Sequence, residues 1–290
     1  MTTAARPVRL IQVPYDSGHR AARMGAGPLA LAGAGAAPRL RRRGHDVEER
    51  LVEASPSWRA EIGTAFELQR LVAGEAAGAR GAGQLPILLS GNCNTTVGML
   101  AAPAPQARVG VVWFDAHGDF NTPGTDASGF LDGHGLAMVT GRCWTALTAS
   151  VPGFRPVPDH RVMLVGARSF DDGEQEALRS SSITRLTVAH ARDATVVRQA
   201  VEALATHVDV VHLHVDLDVH DPGIAPANGY AAPDGMSAAE ALRVVGVLTD
   251  RIPLASATLA SYDPAYDPDQ RMAEVALELL TELAAARSGW

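Results

Sequence analysis

Six short β-rich runs interleaved with longer stretches of helical composition constrain this chain more than any other feature of it. The runs are Val8–Val13, Pro86–Leu89, Val109–Phe114, Val162–Val165, Val208–Val215 and Leu254–Leu259. Around them, Pro28–Arg43, Trp58–Ala77, Asp172–Ser181, Ala194–Thr206, Ser237–Thr249 and Gln270–Ala286 have helical spacing. Strands joined through helices pair in parallel, and the helices then cover both faces of the sheet. The expected class is α/β, with ligands received outside the carboxyl ends of the strands. No Pro/Ser-rich linker and no internal repeat divides residues 1–290, so one domain is expected.

Composition narrows the chemistry. Lys and Arg together number 25 against 32 acids, and every one of the 25 is Arg. A net charge of −7 argues against a nucleic-acid or anionic-membrane partner and towards small molecules. Without Lys there is no Schiff base, no lysine-anchored pyridoxal phosphate and no Gly-Lys-Ser/Thr phosphate loop. Cys93 and Cys143 are too few for a disulfide framework, and the first residues lack the apolar core of a signal peptide. No run reaches the roughly 18 apolar residues of a membrane span, so a cytoplasmic protein is expected. Arg39, Arg41, Arg42 and Arg43 read as a helix end, where cations favour the dipole, rather than as an anion site. Gly124–Gly135 reads as a long functional loop.

Two segments carry chemistry. Val109–Phe114 runs into Asp115-Ala-His117-Gly-Asp119, and continued extension would place these three ligand-type side chains together at a strand end. In His212-Leu-His214-Val-Asp216-Leu-Asp218-Val-His220 the alternation puts His212, His214, Asp216 and Asp218 on one face. In a central strand that face has no water, so its carboxylates require cations or donors. Four carboxylates and an imidazole form an oxygen-rich set suited to Mn²⁺, and two such ions ionise a shared water near neutral pH. His212 and His214, further back on the strand, are expected to support the ligands or fill the core.

Asp115-Ala-His-Gly-Asp-Phe-Asn-Thr-Pro123 and Asp216-Leu-Asp-Val-His-Asp-Pro222, followed by Ala225-Pro226, resemble the two signatures of the ureohydrolases: arginase, agmatinase, formimidoylglutamase and their relatives. The likeness runs from Val13-Pro-Tyr-Asp-Ser-Gly to Asp263-Pro264. It implies an α/β domain around an eight-stranded parallel sheet, usually assembled as a trimer or hexamer. It further implies two Mn²⁺ held by Asp115, His117, Asp119, Asp216 and Asp218, with Asp115 and Asp216 shared. His134 resembles the histidine that protonates the leaving amine, and Asp119 joins it as a catalytic candidate. Asn121 and Ser128 resemble residues that hold an amino-acid carboxylate, and Asp171 and Glu174 those that meet the α-amino group.

The pattern breaks twice. Ser90-Gly-Asn-Cys93-Asn94 stands where the family has Gly-Gly-Asp-His-Ser, so Cys93 replaces a metal-binding imidazole. Cys93 is equally a softer ligand or a buried apolar side chain. The arginase-like Nω-hydroxy-L-arginine amidinohydrolases are similar in placing Cys there. Ser261, in Ala260-Ser-Tyr-Asp-Pro264, replaces the family's guanidinium-pairing glutamate. Either another acid such as Asp263 substitutes, or the substrate is less basic than arginine. The expected function is manganese-dependent cleavage of a guanidino C–N bond, in Nω-hydroxy-L-arginine or L-arginine. The rivals are an agmatinase- or formimidoylglutamase-type hydrolase, an impaired relative that only binds a guanidino metabolite, and a deacetylase-like amide hydrolase.

Overall fold

The computed structural model describes residues 5–56 and 60–287. Residues 1–4, read above for a leader, and Trp58 with Arg59, read above as opening a helix, lie outside the described residues.

The sheet has eight strands: β1 Val8–Val13, β2 Val47–Leu51, β3 Leu85–Ser90, β4 Val109–Phe114, β5 Val162–Val165, β6 Thr184–Leu186, β7 Val210–Asp216 and β8 Leu254–Ala260. Their order is β2-β1-β3-β8-β7-β4-β5-β6, and every pairing is parallel. All six apolar runs are strands of this sheet. The two strands that no run announced, β2 and β6, are its edges. They carry Glu49, Arg50, Thr184 and Arg185 exposed to solvent, so they lack the apolar continuity of an inner strand.

Among the described residues the helices of seven residues or more are α1 Gly27–Gly33, α2 Ala36–Arg42, α3 Glu61–Gly81, α4 Asp172–Arg179, α5 Ala194–Ala205, α6 Ala238–Arg251 and α7 Arg271–Ala285. Local chemistry starts them. Asp193 accepts from the Thr195 N–H at 2.8 Å ahead of α5, and Ser237 and Glu240 exchange hydrogen bonds at the start of α6. The single helix expected over Pro28–Arg43 is broken at Gly35, whose φ of +100° no helical residue adopts. The arginines at the end of α2 do find local partners: Arg39 bonds Glu274 at 2.6 Å, and Arg41 bonds the Val47 carbonyl at 2.8 Å.

Period-two alternation sorts the core onto two faces. Val112, Phe114, Val211, Leu213 and Val215 join one apolar cluster with α5, α6 and α7, while Val111 and Trp113 join another on the opposite side. In β7, flanked by β8 and β4, every residue is buried. Its second face, with His212, His214 and Asp216, is therefore polar and dry. Among the described residues no helix is long and apolar enough to cross a membrane.

Candidate metal centre and substrate cavity

Four neighbouring strands, β3, β8, β7 and β4, end on the same edge of the sheet and deliver Cys93, Ser261, Asp216 and Asp115. Two of these ends share one device. Asp115 Oδ1 accepts from the His117 N–H at 2.7 Å, and Asp216 Oδ1 from the Asp218 N–H at 2.8 Å. Each carboxylate thus folds the chain back two residues later. The extended alternation expected beyond Asp115 and Asp216 does not occur: Leu217–Val219 is a 3₁₀ turn, and Asp119 has φ +49°. The side chains still converge, through turns rather than through strand period. Asp218 Oδ1 accepts from the Ala116 N–H at 3.2 Å and ties the two turns together.

His117 Nδ1 lies 3.4 Å from both Asp115 Oδ1 and Asp218 Oδ2. Burial works against its charge, yet the two carboxylates outweigh it and raise the imidazole to about 12. Burial likewise opposes Asp218, but the His117 hydrogen bond and charge hold it below the usual carboxylate range. Burial and then the neighbouring carboxylates push Asp119 and Asp216 well up, and burial raises Asp115. Such a cluster calls for more positive charge than one imidazolium supplies.

Cys93 opens a 3₁₀ turn after β3. Gly91 lets the chain leave that strand, since a Cβ there would sit 2.2 Å from the Tyr15 carbonyl oxygen. Asp132 then pins the turn, accepting from Asn92 Nδ2 at 2.8 Å and the Asn94 N–H at 2.9 Å. Cys93 Sγ donates to Asp216 Oδ2 at 3.0 Å and lies 3.2 Å from Ser261 Oγ. Burial and then Asp216 raise the thiol well above its ordinary value. Ser261 has φ +65°, so strained backbone brackets the site at both Asp119 and Ser261.

These groups floor a cavity of about 180 Å³ lined by Cys93, His117, Asp119, Asp216 and Asp218 below and by Asn121, Ser128, Asp171, Glu174 and Ser261 along the walls. Asp115 is fully buried behind the floor. Asn121 Nδ2 donates to Asp171 Oδ2 at 2.8 Å, and Ser128 Oγ to Asp126 Oδ1 at 2.6 Å. Glu174 accepts from the Phe120 N–H at 2.8 Å, and burial pushes it up to about 7. Gly118 makes room for it, because a Cβ there would lie 2.5 Å from the Glu174 carboxyl carbon.

His134 corrects one expectation. Its Nδ1 accepts from Trp144 Nε1 at 3.0 Å and its Nε2 lies 3.0 Å from Asp126 Oδ2, so Asp126, not the imidazole, reaches the cavity wall. Asp263 does not stand in for the missing glutamate either: its Oδ1 accepts from the Ala265 N–H at 2.9 Å, and it is absent from the wall.

Some contributors gave no signal in the sequence. Arg168 donates to the carbonyls of Gly166, Asp218, Val219, His220, Ala232 and Pro233, so one guanidinium sets the loop that carries Asp218. Asn228 Nδ2 reaches Asp218 Oδ2 at 3.3 Å and the Ser261 carbonyl at 2.9 Å. Phe130 and Tyr230, with ring centroids 5.2 Å apart, form a lip on the cavity.

The sequence profile of the arginase family matches residues 6–286. The chain belongs to the arginase family. The arginase of Bacillus caldovelox is 32% identical over 96% of this chain and 98% of its own length. The native structure of that arginase covers 97% of the chain and 99% of its own with a TM-score of 0.88 at 29% identity. Entamoeba histolytica arginase in complex with L-ornithine gives a TM-score of 0.84 at 26% identity, over 97% of this chain and 99% of that one. As a member of the arginase family the chain is a hydrolase of linear amidines.

The donor set fits the metal dependence of an arginase-family protein. Asp115, His117 and Asp218 offer ligand atoms all within 4.8 Å of one another, and so do Cys93, Asp115 and His214. Asp119 Oδ2 is buried with no hydrogen-bond partner, as a carboxylate oxygen reserved for a cation would be. His212 and His214 are both fully buried on β7, His212 with its Nδ1 2.8 Å from Ser256 Oγ.

Proposed function

We propose that the chain is a binuclear manganese amidinohydrolase that prefers Nω-hydroxy-L-arginine, cleaved to hydroxyurea and ornithine, over L-arginine, cleaved to urea and ornithine. Asp115, His117, Asp216 and Asp218 would hold one ion, and Asp115, Asp119 and Asp216 the other. Bound ions supply a water that ionises near neutral pH and a Lewis acid for the developing negative charge.

The chain's own residues do the rest. Asp171 and Glu174 meet the substrate's α-amino group, and Asn121 and Ser128 its carboxylate, which sets the reacting carbon over the floor of the cavity. As the C–N bond breaks, Asp119 would pass to the departing amine the proton it takes from the attacking water, while Asp126, held by the Nε2–H of His134, faces the ammonium that forms. The complex of the Entamoeba histolytica arginase with L-ornithine supports an amino-acid-like occupant. A cytoplasmic location, expected from the composition, belongs to the same reading, and so does a trimer or hexamer, which rests on the resemblance alone.

The observation that carries the substrate choice is a hydroxyl, that of Ser261, in place of a carboxylate to pair with the guanidinium. Ser261 stands where a carboxylate would pair with a guanidinium, its neighbour is Cys93 at 3.2 Å, and Asp263 caps a turn instead. A hydroxyguanidine is a weaker base than a guanidine, so it loses less from an unpaired site. The test is a product screen of the Mn²⁺-loaded protein against arginine, Nω-hydroxyarginine, agmatine, guanidinobutyrate and formiminoglutamate. The highest kcat/KM is expected for Nω-hydroxyarginine. Preference for agmatine or formiminoglutamate, or tight binding without turnover, would overturn the assignment.

A further inference from the structure

His214 is fully buried on β7, two residues before Asp216, and its Nε2 has no hydrogen-bond partner. Its Nδ1, by contrast, is held. Thr96 Oγ1 lies 2.8 Å from it and donates its own proton to Thr258 Oγ1 at 3.2 Å, so Thr96 accepts from His214 Nδ1–H. The chain of donors continues consistently. Thr258 Oγ1 faces His212 Nε2 at 3.4 Å, His212 Nδ1 faces Ser256 Oγ at 2.8 Å, and Ser256 donates to the Met99 carbonyl at 3.5 Å. Each hydroxyl uses its one hydrogen in this order, and the order leaves a bare lone pair on His214 Nε2. A metal-binding imidazole is set up in the same way, its second ring nitrogen donating to an oxygen that fixes tautomer and orientation.

The ring is also held in place beside the floor of the cavity. Trp113 stacks on it with centroids 3.7 Å apart and an interplanar angle of 17°, and the same indole donates to Asp115 Oδ2 at 2.9 Å. His214, Cys93 and Asp115 offer ligand atoms within 4.8 Å of one another, and the nitrogen left to His214 is Nε2. His220 Nε2 also lacks a partner but belongs to no such group among the described residues. We propose that His214 Nε2 is a metal ligand at the Cys93 end of the centre, supplying from β7 the imidazole that Cys93 does not supply from the turn after β3. The inference rests on the binuclear reading above.

The test compares the full-length wild type with His214→Asn, whose amide can keep the bond to Thr96 while the Nε2 position is lost. Each is dialysed against Mn²⁺ alone and its bound metal is measured by elemental analysis and titration. Expected is a loss of at least about 100-fold in affinity for one ion, more than removal of an outer-shell partner brings, with the other ion unchanged. Wild-type stoichiometry and affinity in a folded His214→Asn protein would overturn the inference and leave the binuclear reading standing. A wild type that binds no metal would overturn both. Should the variant fail to fold, ¹⁵N-histidine spectra of the wild type titrated with Zn²⁺ decide: two imidazoles shift if His214 binds, and a shift of His117 alone refutes it.

Discussion

The two ends of the centre solve the same electrostatic problem differently. At one end His117 sits 3.4 Å from each of Asp115 and Asp218, and the charges answer one another without a metal. At the other end Asp119 Oδ2 and His214 Nε2 are buried without partners, and Cys93 is a thiol rather than an imidazole. The first end is built from the hard oxygen and nitrogen donors that Mn²⁺ favours; the second offers softer and less charged ones. On the binuclear reading proposed above, the contrast teaches that the chain would keep a complete site for one ion and an altered site for its neighbour.

The severest way to break the comparison is Asp216→Ala. If this carboxylate serves both ends, as proposed, both ions should be lost together and kcat/KM should fall by at least about 10³-fold. Elemental analysis that still finds two Mn²⁺ per chain would sink the shared-ligand assignment.

Ser261→Glu acts on the altered end alone. A charge-assisted pair contributes roughly 1.5–3 kcal/mol, so the ratio of kcat/KM for arginine over Nω-hydroxyarginine should rise about 10- to 150-fold. An unchanged ratio in a folded, metal-replete variant would remove Ser261 from substrate choice.

Metal removal should couple to pH. Asp119, Asp216 and Asp115 are raised, and His117 is raised to about 12, so each binds its proton more tightly when folded. The stability they contribute is present below their unfolded values and is lost as pH rises towards the folded ones. His212, His214 and His220 are lowered by burial and act in the opposite sense up to their unfolded values, so the metal-free protein should weaken with rising pH above about pH 7, while free Mn²⁺ at 100 times its Kd restores about 2.7 kcal/mol per ion. Thermal unfolding with and without a chelator measures this; a gap that narrows with rising pH would contradict it.

The smallest effect is expected at the lip. Tyr230→Ala removes one ring of the Phe130–Tyr230 pair and should raise KM about fivefold or less with kcat unchanged. A fall in kcat instead would place Tyr230 closer to the chemistry than the lip.

The inner sheet was legible because buried parallel strands must be apolar throughout, as Val109–Phe114 and Val162–Val165 are. The edges were not, since Glu49 in β2 and Arg185 in β6 face water. The aspartates of the centre were visible as residues but not as turns. Strand period predicts continued extension, whereas Asp115 and Asp216 each capture the amide two residues on. Arg168 left no trace because its partners are backbone carbonyls, which every sequence has. His134 was placed by its motif, yet Trp144 and Asp126 decide where its ring points.

The unequal centre is tested most directly by calorimetric titration of the metal-free wild type with Mn²⁺. Two binding steps are predicted, separated by at least about tenfold in affinity, with the tighter one abolished by His117→Asn and the weaker one by His214→Asn. Two equal steps, or a single step lost in neither variant, would contradict the account.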